Sequence, residues 1–211
     1  MQYWKITKSP LLKPTLLLIL TLFLITKASS QSFEEEIKAF RTKYKADFLK
    51  DENSPLEEDD LQYLDFYEAN AKYKVKCKFK VKGTGEPFEI PTSSGKTKTY
   101  AVFGELSFKI DGKKQKLNVY RSLALMRNPL YKDYLFIPFK DLTSGIETYG
   151  AGRYLDLRMS DLEEEIWLDF NKAYNPYCAF SLGYSCPIPP VENHLKVRIE
   201  AGERNYLKEW H

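Results

Sequence analysis

The chain has 211 residues, of which 43% are hydrophobic, 15% are aromatic and 29% are charged. This length suits one domain with a full core. The formal net charge of +3 includes four lysines within residues 1–30, and removing them from the 32 basic residues leaves 28 against 29 acidic ones. The excess of basic residues thus comes from residues 1–30, and it gives no argument for nucleic-acid binding. We predict no nucleic-acid partner.

Residues 1–30 have the pattern of a secretory signal peptide. A basic segment precedes an uncharged apolar run, and small residues come before the cleavage position: Lys5, Lys8 and Lys13, then Thr15 to Thr26, then Ala28 and Ser30. The apolar run is too short for a bilayer, which needs about 20 residues. We expect cleavage before Gln31, export to the periplasm or the cell exterior, and no stable membrane insertion afterwards; an uncleaved anchor is the alternative.

Residues 31–211 are predicted to form a single globular domain that opens with a helix. Ser32 and Glu35 have the spacing of a capping box, which predicts a helix start at Ser32. Apolar residues then recur at helical spacing: Phe33, Ile37, Phe40, Tyr44 and Phe48. A second capping signal at Ser54 predicts a short helix that ends near Leu61.

The segment from Lys72 to Lys82 alternates lysine with apolar residues, which predicts a strand with one apolar face and one lysine face. The lysine face could attract a polyanion, or it could be a solvated face that guards a sheet edge against pairing. The balanced charge elsewhere favours the solvated face.

The rest of the chain reads mainly as strands. Asp111 and Gly112 separate two alternating segments, 99–110 and 116–123, and such a pair predicts a tight hairpin. Pro138 indicates a sheet edge or a strand end. Further strands are predicted at 88–91, 134–139, 154–157, 166–170 and 195–201. The fold class is α+β, with an N-terminal helix packed on a curved, mostly antiparallel sheet or a partly open β-barrel.

The segment from Asp169 to Asn193, called here the irregular block, is rich in proline, tyrosine and asparagine and has no helical or strand period. Ordered irregular segments are where binding sites concentrate. Three glycines lie within residues 143–153, called here the glycine bend. We expect the irregular block to dock rigidly on the glycine bend and to form the functional surface with it.

Three short motifs carry a family resemblance. They are G-R-Y-L-D-L at 152–157, N-P-Y-C-A at 175–179 and C-P-x-P-P-x-E-N at 186–193. With these motifs the chain resembles the bacterial family catalogued as domain of unknown function 1684, over most of residues 31–211. The resemblance implies a common fold and a shared surface patch, and it supplies no catalytic assignment.

The irregular block contains Cys178 and Cys186, eight residues apart. After export they could form a disulfide, which would stabilise the fold by about 2–3 kcal/mol. Two unpaired thiols or a metal site with His194 are the alternatives, although the spacing matches none of the standard zinc patterns. We predict no metal and no cofactor. Cys77 lies on the apolar face of its strand and is expected to be buried and inert.

Acid–base chemistry has few candidates. His194 has the position of a polar residue in the alternating segment that follows it, so we expect it at the surface. Neither a G-x-S-x-G nor an H-E-x-x-H motif is present. Four carboxylates lie near the block: Asp156, Asp169, Glu192 and Glu203. Asp169 and Glu192 stand out because they flank it. Capping, or an ion pair with Arg153, is their alternative role.

Three hypotheses follow for the function. The first is a non-enzymatic binding module for a small anionic or sugar-like ligand, in which Arg153 holds the charge. Amides and rings of the block would supply the other contacts: Asn171, Asn175 and Asn193, with Tyr174 and Tyr177. The second is a hydrolase that uses Asp169 or Glu192, or Cys178 as a thiolate. The third is a structural envelope protein, in which Arg153 pins backbone carbonyls. No sequence feature indicates the oligomeric state.

Overall fold

One long helix precedes the sheet. In the computed structural model, which describes residues 14–82, 85–163 and 165–208, helix α1 spans Pro14–Phe48. The predicted start at Ser32 is wrong for the uncut chain, because no proline or glycine interrupts the helix between Pro14 and Ser32. Residues 1–13 of the predicted signal peptide lie outside the described residues. Within the described residues, no helix has both the length and the apolar character needed to cross a bilayer.

In the described part of the chain, seven strands form one sheet, and each pair of neighbouring strands is antiparallel. They are β1 Lys74–Val81, β2 Phe88–Pro91, β3 Thr97–Ile110, β4 Lys113–Ser122, β5 Tyr134–Phe139, β6 Arg153–Arg158 and β7 Ile166–Asp169. The strand order is β6-β5-β4-β3-β1-β7, with β2 added on β3. The sheet curls into a half-barrel, which confirms the predicted α+β class.

Local turn chemistry places the elements largely as predicted. Asp111 and Gly112 have φ of 49° and 73°, as the tight hairpin between β3 and β4 requires. The predicted short helix is instead a 3₁₀ turn at Glu58–Tyr63, and the Ser54 hydroxyl accepts a bond from the Leu56 amide at 3.1 Å. Residues 195–201 alternate in burial as a strand would, but they form no ladder and lie as an extended segment.

Pro138 is next to last in β5, and β5 lies between β4 and β6 rather than at an edge. The side chain of Asn193 fills the place where β4 and β5 separate. Its amide nitrogen donates to the carbonyls of Asn118 and Pro138 at 2.9 and 2.8 Å, and its oxygen accepts from the Asn118 amide at 2.7 Å. The side-chain amide of Asn193 thus supplies the donor to the Asn118 carbonyl that Pro138 lacks.

Apolar packing covers both faces of the sheet. On one face Leu106, Leu117 and Ile137 are fully buried in a cluster that includes Val197 and Ile199 of the extended segment. The other face carries an aromatic cluster of Tyr100, Tyr120, Phe136 and Tyr154 around Ile90. The end of α1 packs through Phe48 in a third cluster with Leu56, Leu64, Ala179 and Phe180. The irregular block therefore lies between the aromatic face and the helix.

Candidate functional site

The irregular block and the glycine bend are in direct contact, as expected. Gly152 has a φ of 102°, and a Cβ there would lie 2.7 Å from both the Phe139 carbonyl oxygen and Pro189 Cγ. Only glycine allows that approach. The Tyr149 hydroxyl donates to the Cys178 carbonyl at 3.2 Å. The block therefore contacts the glycine bend through both of its halves.

Cys178 and Cys186 lie at disulfide distance, with their Cα atoms 6.3 Å apart. This separation is within the range of natural disulfides. Cys77 is the free cysteine and is buried, and burial raises the pKa of its thiol to about 12. In the described part of the chain, no three His, Cys, Asp or Glu side chains converge as the ligands of a metal would.

Two adjoining cavities open beside the block. The first, called here the Asp156 cavity, has a volume of about 530 Å³ and lies between α1 and the block. Six aromatic residues line it: Phe40, Tyr44, Phe48, Tyr131, Tyr174 and Tyr177. The second, of about 420 Å³, is bordered by Cys186, and Tyr174 and Tyr177 line it as well. The two shared tyrosines therefore form the partition between the cavities.

The Asp156 carboxylate lies in the first cavity and is held by two tyrosine hydroxyls. Tyr134 donates to Oδ1 at 2.6 Å, and Tyr174 donates to Oδ1 at 2.9 Å and to Oδ2 at 3.0 Å. The side chain keeps accessible surface although protein atoms surround it on most sides, which is the environment of a cavity floor. Burial raises the pKa of Asp156, while the tyrosine bonds and the charge of Arg158 lower it in part. No basic side chain in the described residues forms an ion pair with it.

The walls of the Asp156 cavity are fixed by bonds at their polar ends. The backbone of Tyr174 exchanges two hydrogen bonds with Tyr154, at 2.9 and 3.1 Å. The Tyr177 hydroxyl donates to Asp51 at 2.7 Å, and the Tyr44 hydroxyl donates to Glu203 at 2.9 Å. Because the hydroxyls of Tyr44, Tyr174 and Tyr177 are engaged, these three rings are held in place before any ligand arrives.

Arg153 does not reach either cavity. Its side chain is fully buried, and it donates to the carbonyls of Ile199 and Glu203 at 2.9 and 3.1 Å and to the Asp141 carboxylate at 3.2 Å. A further bond goes to the carbonyl of Ala201. The guanidinium pins the extended C-terminal segment, not the irregular block, and the geometry gives no support to a ligand contact by Arg153.

Asp169 and Asn171 serve the local backbone. Asp169 Oδ1 accepts from the Asn171 amide at 3.0 Å and caps the 3₁₀ turn Phe170–Lys172. The Asn171 side chain exchanges bonds with the backbone of Asn70 at 2.9 and 3.0 Å. Glu192 is exposed on a turn. The structure therefore gives Asp169 and Glu192 separate surroundings rather than one shared site. Asp169 has the capping role that was the alternative to a role in a binding site.

Asn175, which lines the second cavity, forms a buried connection with Glu203. The Asn175 amide donates to Glu203 Oε2 at 2.7 Å, and its side chain donates to the Arg204 carbonyl at 2.7 Å. Glu203 is fully buried, and its Oε1 has no hydrogen-bond partner among the described residues. Burial raises the pKa of Glu203 to about 8, and the bonds from Asn175 and Tyr44 oppose the shift.

In the sequence, only its position near the irregular block makes Asp156 a candidate site residue. No sequence pattern indicates Tyr134 or Tyr44 as part of the site. Tyr134 and Asp156 lie on the neighbouring strands β5 and β6, whose register pairs Phe136 with Asp156. Because Tyr134 is two residues from Phe136, its side chain projects from the same face of the sheet as Asp156. Once the register is known, this alternation indicates that the two side chains are neighbours. Tyr44 comes from α1, more than a hundred residues away in sequence, and no local pattern connects it with Asp156.

Comparisons with known proteins identify relatives without a described activity. The family model "Protein of unknown function (DUF1684)" matches residues 59–204. The solution NMR structure of an uncharacterized protein of Haloarcula marismortui is similar at 33% identity, with a TM-score of 0.65, over 86% of this chain and 99% of that one. No curated protein matches the chain.

Proposed function

Because the chain belongs to the DUF1684 family, which has no described activity, we propose a function from the site itself: a non-enzymatic binding module for a small, neutral, sugar-like ligand in the Asp156 cavity. The observation that carries this proposal is the Asp156 carboxylate, held by Tyr134 and Tyr174 at the floor of an open cavity with aromatic walls.

The chemistry of the floor suits hydroxyl groups. An ionised carboxylate offers about four acceptor positions, and the two tyrosine donors leave some of them for a ligand. Hydroxyls of a sugar can donate there, while the apolar face of its ring lies against Tyr174 or Tyr177. Since the hydroxyls of Tyr44, Tyr174 and Tyr177 are already bonded, these side chains need little ordering on binding.

An anionic ligand fits this cavity less well than a neutral one. Arg153, the expected cation, is buried elsewhere, and the lysines of the cavity are already paired. Lys43 is bonded to Asp47, and Lys172 lies 2.8 Å from Glu36. An anion would face the Asp156 carboxylate, and no described basic residue that lines the cavity is unpaired and able to offset the repulsion. The proposed ligand is therefore uncharged.

The residues that the hydrolase alternative would use have other surroundings or other roles in the structure. Asp169 caps a turn, Glu192 is on the surface, and Cys178 is at disulfide distance from Cys186. Binding without turnover is the function that the remaining groups support best.

Replacing Asp156 by asparagine is expected to weaken binding of a sugar probe by about tenfold or more, because a charged acceptor is lost. The measurement is isothermal titration with a panel of methyl glycosides, and the matched control is Asp59→Asn, at an exposed aspartate away from the cavity. In the unmodified protein, affinity should fall as the pH falls, with a midpoint above the ordinary value of 3.8, because burial raises the pKa of Asp156. The proposal is wrong if no glycoside binds, or if both variants bind equally well.

We also propose that the mature protein is exported and begins at Gln31. The pattern of residues 1–30 and the Cys178–Cys186 pair support this, because disulfides persist mainly in oxidising compartments. Intact mass spectrometry of the protein from its native cells is expected to give a chain that starts at Gln31 and is two hydrogens lighter than the reduced form. A full-length chain with three reactive thiols would contradict both parts.

A further inference from the structure

The lysine face of β1 continues across β3 and β4 as a groove of about 550 Å³. Five lysines line the groove: Lys76, Lys78, Lys109, Lys114 and Lys116. The strand register brings them together from distant parts of the chain, since Ser107 pairs with both Lys78 and Lys116, and Lys109 pairs with Lys114. Neighbouring strands are about 4.8 Å apart, so these ammonium groups share one surface.

Three of these five charges are not neutralised within the described part of the protein. Lys76 is bonded to Glu165, and Lys116 lies 2.8 Å from Glu105. Lys78, Lys109 and Lys114 have no ion-pair partner among the described residues. Like charges in one groove repel each other and attract an anion from solution.

Protection of a terminal strand does not explain the lysines. The strand order places β3 between β4 and β1, and β1 between β3 and β7. None of the three lysine-bearing strands is therefore a terminal strand of that order, where unpaired backbone groups would need charged neighbours.

An exposed aromatic ring borders the basic groove. Trp167 on β7 pairs directly with Lys76 on β1, so both side chains project from the same face. Trp167 is 44% exposed. A flat ring beside a row of lysines can stack against a sugar or a base while the lysines hold acidic groups.

We propose that this lysine face is a docking surface for an acidic polysaccharide. Its carboxylate or sulfate groups contact Lys78, Lys109 and Lys114, and one of its sugar rings stacks on Trp167. A groove favours a narrow chain over the broad surface of a membrane. Sites for single-stranded nucleic acid stack successive bases on several rings, whereas Trp167 is the one exposed ring at this groove among the described residues.

The test compares two triple variants with the same change in charge. Lys78→Gln/Lys109→Gln/Lys114→Gln removes the free charges of the groove, and Lys38→Gln/Lys132→Gln/Lys196→Gln removes three exposed lysines elsewhere. Binding to oligogalacturonate is measured by titration at about 0.15 M salt. The groove variant should lose about tenfold or more in affinity and show a weaker salt dependence, while the control variant stays within about twofold.

Two further arms separate the possible partners. Trp167→Leu should weaken binding of oligogalacturonate, and Asp59→Asn, at an exposed aspartate outside the groove, should leave it unchanged. Equal losses in the two triple variants would overturn the proposal. Tighter binding of oligothymidylate or of phosphatidylglycerol vesicles than of oligogalacturonate would also overturn it. Circular dichroism spectra of the variants establish that they remain folded.

Discussion

Replacing Arg153 by methionine is expected to lower the free energy of unfolding by about 3–5 kcal/mol. The guanidinium and the Asp141 carboxylate are both fully buried, and removing one leaves the other charged and unpaired. The carbonyls of Ile199 and Glu203 also lose their donors. Urea unfolding followed by circular dichroism measures the change.

Arg158→Met is the matched control for Arg153→Met. Arg158 also pairs with an aspartate, Asp133, at 2.7 Å, but both side chains are 43% exposed. Exposed ion pairs contribute about 0–1 kcal/mol to stability. The free energy of unfolding of Arg158→Met should therefore be close to that of the unmodified protein. The double variant Asp141→Asn/Arg153→Met should be more stable than Arg153→Met alone, because no unpaired charge remains buried. Similar losses for Arg153→Met and Arg158→Met would show that Arg153 does not pin the C-terminal segment.

The fold was largely predictable because its signals are local. The alternation of lysine with apolar residues defines β1, and Asp111 with Gly112 defines the hairpin of β3 and β4. The extended segment at 195–201 shows the limit of such signals. Its alternate burial is that of a strand, but the neighbouring backbone at Lys140 and Leu142 bonds it only at separate points.

The candidate site was predictable only in its location. The irregular block does dock on the glycine bend, and Tyr174 and Tyr177 do line cavities. The roles of individual polar residues were not predictable, because they depend on contacts far apart in sequence. Arg153 next to two glycines is equally compatible with a ligand clamp and a buried clasp, and only the position of the segment around Ile199 distinguishes them.

The same limit applies to the asparagines. Asn171, Asn175 and Asn193 were expected to face a ligand, yet the structure buries all three and engages them with backbone groups. A buried side-chain amide needs hydrogen-bond partners. Irregular backbone provides them, because many of its carbonyls have no partner in a helix or a sheet. An asparagine-rich irregular segment therefore predicts internal bracing as much as it predicts a binding surface.

Glu203 is expected to make the stability of the folded protein fall as the pH rises from about 4.5 to about 8. The unfolded chain releases this proton near the ordinary pKa of 4.5, whereas burial raises the pKa of the folded state to about 8. Between these values folding takes up a proton, so the free energy of unfolding decreases by up to about 1.4 kcal/mol for each pH unit. The contribution is fully present below pH 4.5 and is lost above about pH 8.

Glu203→Gln tests this dependence, because glutamine stays neutral at every pH and its amide oxygen can accept from Asn175 and Tyr44 as the carboxyl does. Urea unfolding at a series of pH values should show that the slope between pH 5 and 8 is smaller in Glu203→Gln than in the unmodified protein. Glu192→Gln makes the same chemical change at an exposed glutamate and should leave the slope unaltered. If the slopes of the unmodified protein and Glu203→Gln coincide, the buried carboxyl is ionised in the folded state.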